Sequence, residues 1–149
     1  MDKSLIQEIC LTPLDKIQTS GGSVLHALKS SETNFVGFGE AYFSVVNYGM
    51  IRGWKKHNEM TSNIIVPVGS IKFVLFDETK TSKKEAFFEV TLSLDNYYRL
   101  TIPPGIWLAF QGLSKKENIL LNLSNLEHQP SESVQKDISE FDYDWSIIE

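Results

Sequence analysis

Eight short runs rich in aromatic and β-branched residues, all between positions 40 and 124, leave this chain few ways to fold. They are EAYFSVV (40–46), MIRGWKKH (50–57), TSNIIVPV (61–68), SIKFVLFD (70–77), AFFEVTLS (86–93), YRLTIP (98–103), IWLAFQGL (106–113) and NILLNLS (118–124). Turn-forming residues separate them: Asn47-Tyr48-Gly49, Asn58-Glu59, Gly69, Asp95-Asn96, Pro103-Pro104-Gly105 and the charged stretch 114–117. Short strands at near-regular spacing, with turn residues between them, predict an all-β sandwich or barrel. The basic stretch TKTSKKE (79–85) reads as a solvated hairpin loop.

The flanks differ from this middle. SLIQEI (4–9) predicts a short helix, and Ser23, after Gly21-Gly22, is a candidate cap for one or two helical turns through Lys29. Residues 127–149 form an acidic segment whose end, EFDYDWSIIE, alternates aromatics with acids and is expected to dock against a sheet edge. At 149 residues the chain is expected to be one domain, long enough to bury a sizeable core. Its parts are a helical or extended arm (1–35), the strand region (36–126) and the acidic segment (127–149).

Charge narrows the partners. Residues 129–149 carry six acids against one lysine, whereas residues 1–128 balance at 13 acids and 13 bases. A neutral body with an acidic tail argues against general nucleic-acid binding, yet leaves room for a small anion held by a few local cations. No apolar run approaches the roughly 18 residues of a membrane span. The N-terminal stretch lacks the apolar core of a leader peptide. The one cysteine, Cys10, cannot form an internal disulfide, so the cytoplasm is the expected compartment. There the sequon Asn122-Leu123-Ser124 carries little meaning.

One run is unusual for a half-buried strand. MIRGWKKHNEM (50–60) packs an arginine, a tryptophan, two lysines, a histidine and a glutamate into one segment. Strict alternation puts Ile51, Gly53, Lys55 and His57 on one face and Arg52, Trp54 and Lys56 on the other. A bulge at Gly53 would change that pairing of faces. Two readings stay open: a polar pocket lined from the sheet, or a solvated face.

The order of IRGW, VPVG followed by SIKFVLFD, LTIPPGIWLAF and ENILLNLS resembles the dTDP-4-dehydrorhamnose 3,5-epimerase family, a branch of the cupin jelly rolls. The resemblance spans about residues 36–145. It implies an all-β, cupin-type jelly-roll barrel, here with short N-terminal helices, and a homodimer with a pocket inside one sheet. There a nucleotide-linked keto-sugar loses and regains protons beside its carbonyl. Such chemistry needs a base within reach of the carbon-bound proton, a donor for the enolate oxygen and an acid on the opposite face. The family typically uses a histidine, a tyrosine and an assisting lysine. Matched on RGW, its histidine position holds Lys55. A second histidine position falls at Leu108, the tyrosine position at Leu121 and the lysine position near Ser62. Arg52 and Gly53 match.

The expected site follows. His57 and Lys55 are the candidate base and oxyanion contact, and Tyr42 is the candidate acid. Arg52 suits a pyrophosphate, because a guanidinium forks onto phosphate oxygens. Trp54 and Trp107 are candidate walls for a base or sugar ring, and Glu59 is a candidate polar contact and counter-ion to Lys55. No cofactor is expected. Lys55-x-His57, Glu59 and Leu108 stand where a metal cupin has His-x-His, a glutamate and a third histidine, so no metal is expected either. The expected function is epimerisation or isomerisation of a nucleotide-linked keto-deoxysugar. The alternative is a non-catalytic cupin that binds a sugar nucleotide or another small ligand.

Overall fold

In the computed structural model of the chain, residues 8–147 are described. Twelve strands run in chain order: β1 (Cys10–Pro13), β2 (Lys16–Thr19), β3 (Gly22–Leu25), β4 (Glu40–Val45), β5 (Ile51–His57), β6 (Ser62–Val68), β7 (Ser70–Phe76), β8 (Phe87–Ser93), β9 (Tyr98–Ile102), β10 (Trp107–Gly112), β11 (Ile119–Ser124) and β12 (Ser133–Gln135). One helical turn, α1 (Lys83–Ala86), precedes β8, and the Ser82 side chain caps it by accepting the Glu85 N–H. The eight strands expected from the sequence are β4 to β11.

Two antiparallel five-stranded sheets are formed, ordered β1-β9-β6-β11-β4 and β12-β5-β10-β7-β8. They make the jelly-roll barrel that the resemblance implied. Between them lies the main core, built on Ile64, Val66, Ile71, Phe73, Leu75, Leu92, Leu100 and Leu120. The alternation of β7 and β10 explains the layering. Phe73 and Leu75, with Leu108 and Phe110, face this core. Val74 and Phe76, with Trp107 and Ala109, face the other way into a second apolar layer. That layer is closed by Phe141, Tyr143 and Trp145, so the acidic C-terminal segment lies along the outer face of the second sheet with Asp142 and Asp144 exposed between the rings. Burial of three aromatics outweighs the acidic composition, and the segment is a strap rather than a solvated tail.

The N-terminal arm departs from expectation. Where a helix was expected from Ser23 to Lys29, β2 and β3 form a two-stranded hairpin. Lys16 pairs with Leu25 and Thr19 with Gly22 around a Ser20-Gly21 turn. A two-residue Ser-Gly loop between short alternating runs is hairpin chemistry, and it overrides the weak helical period that follows. Residues 4–7 of the helix expected over 4–9 lie outside the described residues, and Glu8 and Ile9 are not helical. The 79–85 loop holds α1, since Ser82 supplies a cap to the Lys-Lys-Glu-Ala turn. Among the described residues no helix is long and apolar enough to cross a membrane.

One irregularity in β5 decides what faces the interior. Lys55 pairs with Leu108 and Lys56 with Trp107, but Ala109 pairs with Gly53, leaving Trp54 as an extra residue. This is a β-bulge. Gly53 has φ of +139°, and a Cβ there would lie 2.5 Å from the Ala109 Cβ, so only glycine fits. Directly opposed residues in an antiparallel pair share a face. The bulge therefore brings Arg52, opposite Phe110, onto the same face as Lys55 and His57. Strict alternation had put Arg52 with Trp54 and Lys56, and the extra residue is what corrects it.

Candidate functional site

A cavity of about 420 Å³ opens between the two sheets. From β5 it is lined by Arg52, Lys55 and His57, and from β10 by Leu108 and Phe110. The facing sheet contributes Tyr42 and Ser44 of β4, Ser62 and Ile64 of β6, and Leu120 and Asn122 of β11. Gln135 and Lys136, from β12 and the residue after it, close one side. The arrangement has an apolar floor with polar groups converging from both sheets, which is the usual make-up of a small-molecule site.

His57 is the best-positioned titratable group. Its Nδ1 lies 2.7 Å from Oε1 of Glu132. Glu132 is 7 % exposed, and its other oxygen accepts the backbone N–H of Glu59 at 2.9 Å and of Met60 at 2.8 Å. Burial pushes the Glu132 carboxyl up, but the hydrogen bonds from His57, Glu59 and Met60, with the charge of His57, outweigh it and hold it below its ordinary value. An ionised Glu132 fixes the imidazole. With Nδ1–H donated to the carboxylate, the lone pair of the neutral ring sits on Nε2. The backbone is held too: the His57 carbonyl accepts from Gly105 N–H at 2.8 Å, and Asn58 N–H donates to the Glu132 carbonyl at 2.9 Å.

Sequence reasoning missed Glu132. It lies 75 residues from His57 and reads as one of six acids in an acidic tail. The signal that separates it from the others is the fold itself. β12 pairs with β5, placing Ser133 opposite His57 and Gln135 opposite Lys55. A three-residue strand is too short to show alternation in a sequence.

The remaining predicted residues divide. Tyr42 lines the cavity from the opposite sheet, and its Oη accepts a hydrogen bond from Asn122 Nδ2 at 2.9 Å. Lys55 is half-buried on the cavity wall, and among the described residues it forms no ion pair. Arg52 is exposed at the cavity, its guanidinium 5.6 Å from the Phe110 ring centroid. Trp54 borders the cavity, but its indole is fully buried on the other side of the sheet, where Nε1 donates to the Ile138 carbonyl at 3.1 Å and the ring packs on Phe141 and Trp145. The structure places Trp107 in the same outer layer, beyond the cavity. Glu59 is exposed at a separate depression with Asn58, Gln129, Ser131 and Glu132. Of the positions matched to family catalytic residues, Lys55, Leu108 and Ser62 line the cavity. On β11 the cavity-facing residues are Leu120 and Asn122, so Leu121 points to the outer face. Among the described residues, no three of His, Cys, Asp and Glu are gathered as a metal would require.

No protein-family model matches the chain. A dTDP sugar isomerase from Desulfovibrio desulfuricans G20 is 34 % identical, with a TM-score of 0.85 over 94 % of this chain and 92 % of that one. The chain belongs to the family of dTDP-sugar isomerases and epimerases. That family includes the dTDP-4-dehydrorhamnose 3,5-epimerases. One of these, from Sulfolobus tokodaii, is 24 % identical with a TM-score of 0.77 over 93 % of this chain and 82 % of that one, a likeness of fold. A curated relative from Haloferax volcanii, described as a probable low-salt glycan biosynthesis epimerase, is 23 % identical over 112 residues, covering 71 % of this chain and 72 % of its own.

Proposed function

We propose that the protein epimerises or isomerises a nucleotide-linked keto-deoxysugar, in the synthesis of a deoxysugar or surface polysaccharide. The observation that carries this reading is the His57–Glu132 pair on one sheet facing Tyr42 on the other across a single cavity. Family membership supports the substrate class, since a relative at 34 % identity is a dTDP sugar isomerase. His57 Nε2 removes a proton from a carbon beside the sugar ketone. The electron pair moves onto the carbonyl oxygen as an enolate. Lys55, a cation on the same wall with no competing ion pair among the described residues, stabilises that oxygen. A proton returned by Tyr42 arrives from the opposite sheet and so from the opposite face, which inverts the carbon. Protonation at a different carbon would isomerise the ketone instead. Arg52, at the cavity with its guanidinium against Phe110, holds the diphosphate. The apolar floor of Leu108, Phe110 and Ile64 takes the deoxygenated side of the sugar.

The test is deuterium incorporation from D2O into a panel of nucleotide-linked 4-keto-6-deoxysugars. The native protein is expected to label one or more of them at a carbon next to the ketone. His57→Ala is expected to lose about 10²- to 10⁴-fold of that rate, the usual worth of a positioned general base. Absence of labelling in every substrate by the native protein would overturn the reading.

Two further features complete the proposal. The outer face of β4 and β11 presents Phe43 and Val45, both well exposed, opposite Leu121 and Ile119. We infer that a second copy of the chain covers this face as a homodimer. The unpaired Cys10 supports a reducing, cytoplasmic setting.

A further inference from the structure

Asn122 is 5 % exposed on a sheet whose neighbouring cavity positions, Leu120 and Ile64, are apolar. A buried amide there costs free energy that a leucine would not, so its hydrogen bond needs a reason. It lies directly opposite Tyr42 in the β11–β4 register and donates Nδ2 to the phenol oxygen at 2.9 Å. A phenol oxygen has one proton to give and lone pairs to accept with. With a lone pair occupied by the amide, the Tyr42 O–H makes no other hydrogen bond among the described residues. Tyr42 lines the cavity, and that is where its proton is free to be donated.

We propose that Asn122 is a positioning residue that holds the Tyr42 phenol with its proton directed into the cavity and its oxygen against an amide N–H. This rests on the reading of Tyr42 as the acid. In the second half of the reaction the enolate electron pair forms a C–H bond with the Tyr42 proton as the phenol O–H bond breaks and the ketone re-forms. The negative charge passes to the phenolate oxygen, which the Asn122 N–H stabilises, and Tyr42 regains a proton from solvent. The first half, proton removal by His57, makes no demand on Asn122. The sequence gives no hint of this role, because Asn122 sits in a sequon-like triplet and its partner lies 80 residues away.

The experiment uses the full chain, in D2O, with a nucleotide-linked 4-keto-6-deoxysugar that the native protein labels. Two rates are measured: deuterium wash-in to recovered substrate, and product formation. In Asn122→Leu, and in the near-isosteric Asn122→Asp whose carboxylate accepts rather than donates, product formation is expected to fall about 10- to 100-fold, a part of what an acid contributes. KM is expected to stay within about 3-fold and wash-in to be retained, so that the ratio of wash-in to product rises. In a Tyr42→Phe background, Asn122→Leu is expected to add no further loss. Equal falls in both rates, or an undiminished penalty in the Tyr42→Phe background, would overturn the positioning role while leaving the function intact. No labelling by the native protein would overturn both.

Discussion

Glu132 shows how one buried carboxylate joins stability to chemistry. Its three contacts with His57, Glu59 and Met60 use both carboxylate oxygens and reach two places, the His57 side chain of β5 and the turn that follows it. Glu132→Ala would leave two backbone N–H groups and an imidazole nitrogen without their acceptor. A cost of about 1–3 kcal/mol is expected for each buried group so orphaned, read as a fall in the urea midpoint. Its pH dependence has a definite sign. The carboxyl is held below its ordinary 4.5 in the folded protein, so on acidification the unfolded chain takes up the proton first. The stabilisation is therefore complete above about pH 4.5 and is lost as pH falls below it, through the folded-state value. The stability gap between native protein and Glu132→Gln is expected to narrow as pH falls below about 4.5, through the lowered folded-state value. A gap that does not narrow on acidification below the ordinary carboxylate range would count against an ionised Glu132. Because the residue acts through His57, Glu132→Gln should also lower kcat far more than it raises KM.

The bulge in β5 and the C-terminal strap act as elements, each moving several residues at once. Gly53→Ala forces a Cβ to within 2.7 Å of the Ala109 Cα and the Leu108 carbonyl oxygen, at a φ that L residues avoid. A loss of about 1–3 kcal/mol or more is expected from denaturation curves, as for other overpacked sites. Activity should fall as well, since relief of the clash straightens the strand and turns Arg52 away from Lys55 and His57. The strap has a similar double role. Lys136 and Trp54 exchange two backbone hydrogen bonds, at 3.1 and 3.0 Å, which ties the bulge to the segment carrying Glu132. Beyond it, Phe141 meets Trp54, Phe76 and Trp107 at ring distances of 5.2, 4.3 and 5.5 Å. Phe141→Ala is expected to cost about 1.5–3 kcal/mol for the lost apolar burial, measured as a lower melting temperature. Removal of residues 130–149 should abolish labelling of the substrate, because Glu132 and the packing over Trp54 go together.

Across the whole molecule, the cavity exists because two sheets with different hydrogen-bonding orders stack with a gap between them. The proposed base, His57, comes from β5 of one sheet and the proposed acid, Tyr42, from β4 of the other. The outer face of the first sheet matters at the same scale. Phe43 and Val45 are 68 % and 61 % exposed on an edge strand, which invites pairing with another chain. If the proposed homodimer forms through this face, Phe43→Lys is expected to shift it to monomer in sedimentation velocity runs, and a native protein that sediments as a monomer would overturn that proposal. The side chain points away from the cavity, so deuterium labelling per chain should change less than about 3-fold.

The strand set and the all-β class were legible in the residue pattern, whereas the inward reading of Lys55 and His57 and the kind of chemistry came from the family resemblance, the residues alone leaving a pocket and a solvated face both open. Period-two alternation and turn residues are local properties, and β4 to β11 carry them strongly. The motif order around IRGW and LTIPPG carried the family. Three things were not legible, and they share a cause. The bulge that turns Arg52 inward depends on how Gly53 meets Ala109 across a strand pair. Glu132 becomes the partner of His57 when a three-residue strand pairs with β5. Trp54 and Trp107, plausible walls for a sugar or base, are consumed by a strap whose aromatics need a place to bury. A side chain's partner is set by which distant backbone lies beside it, and that follows from the packing of the sheets rather than from any nearby residue.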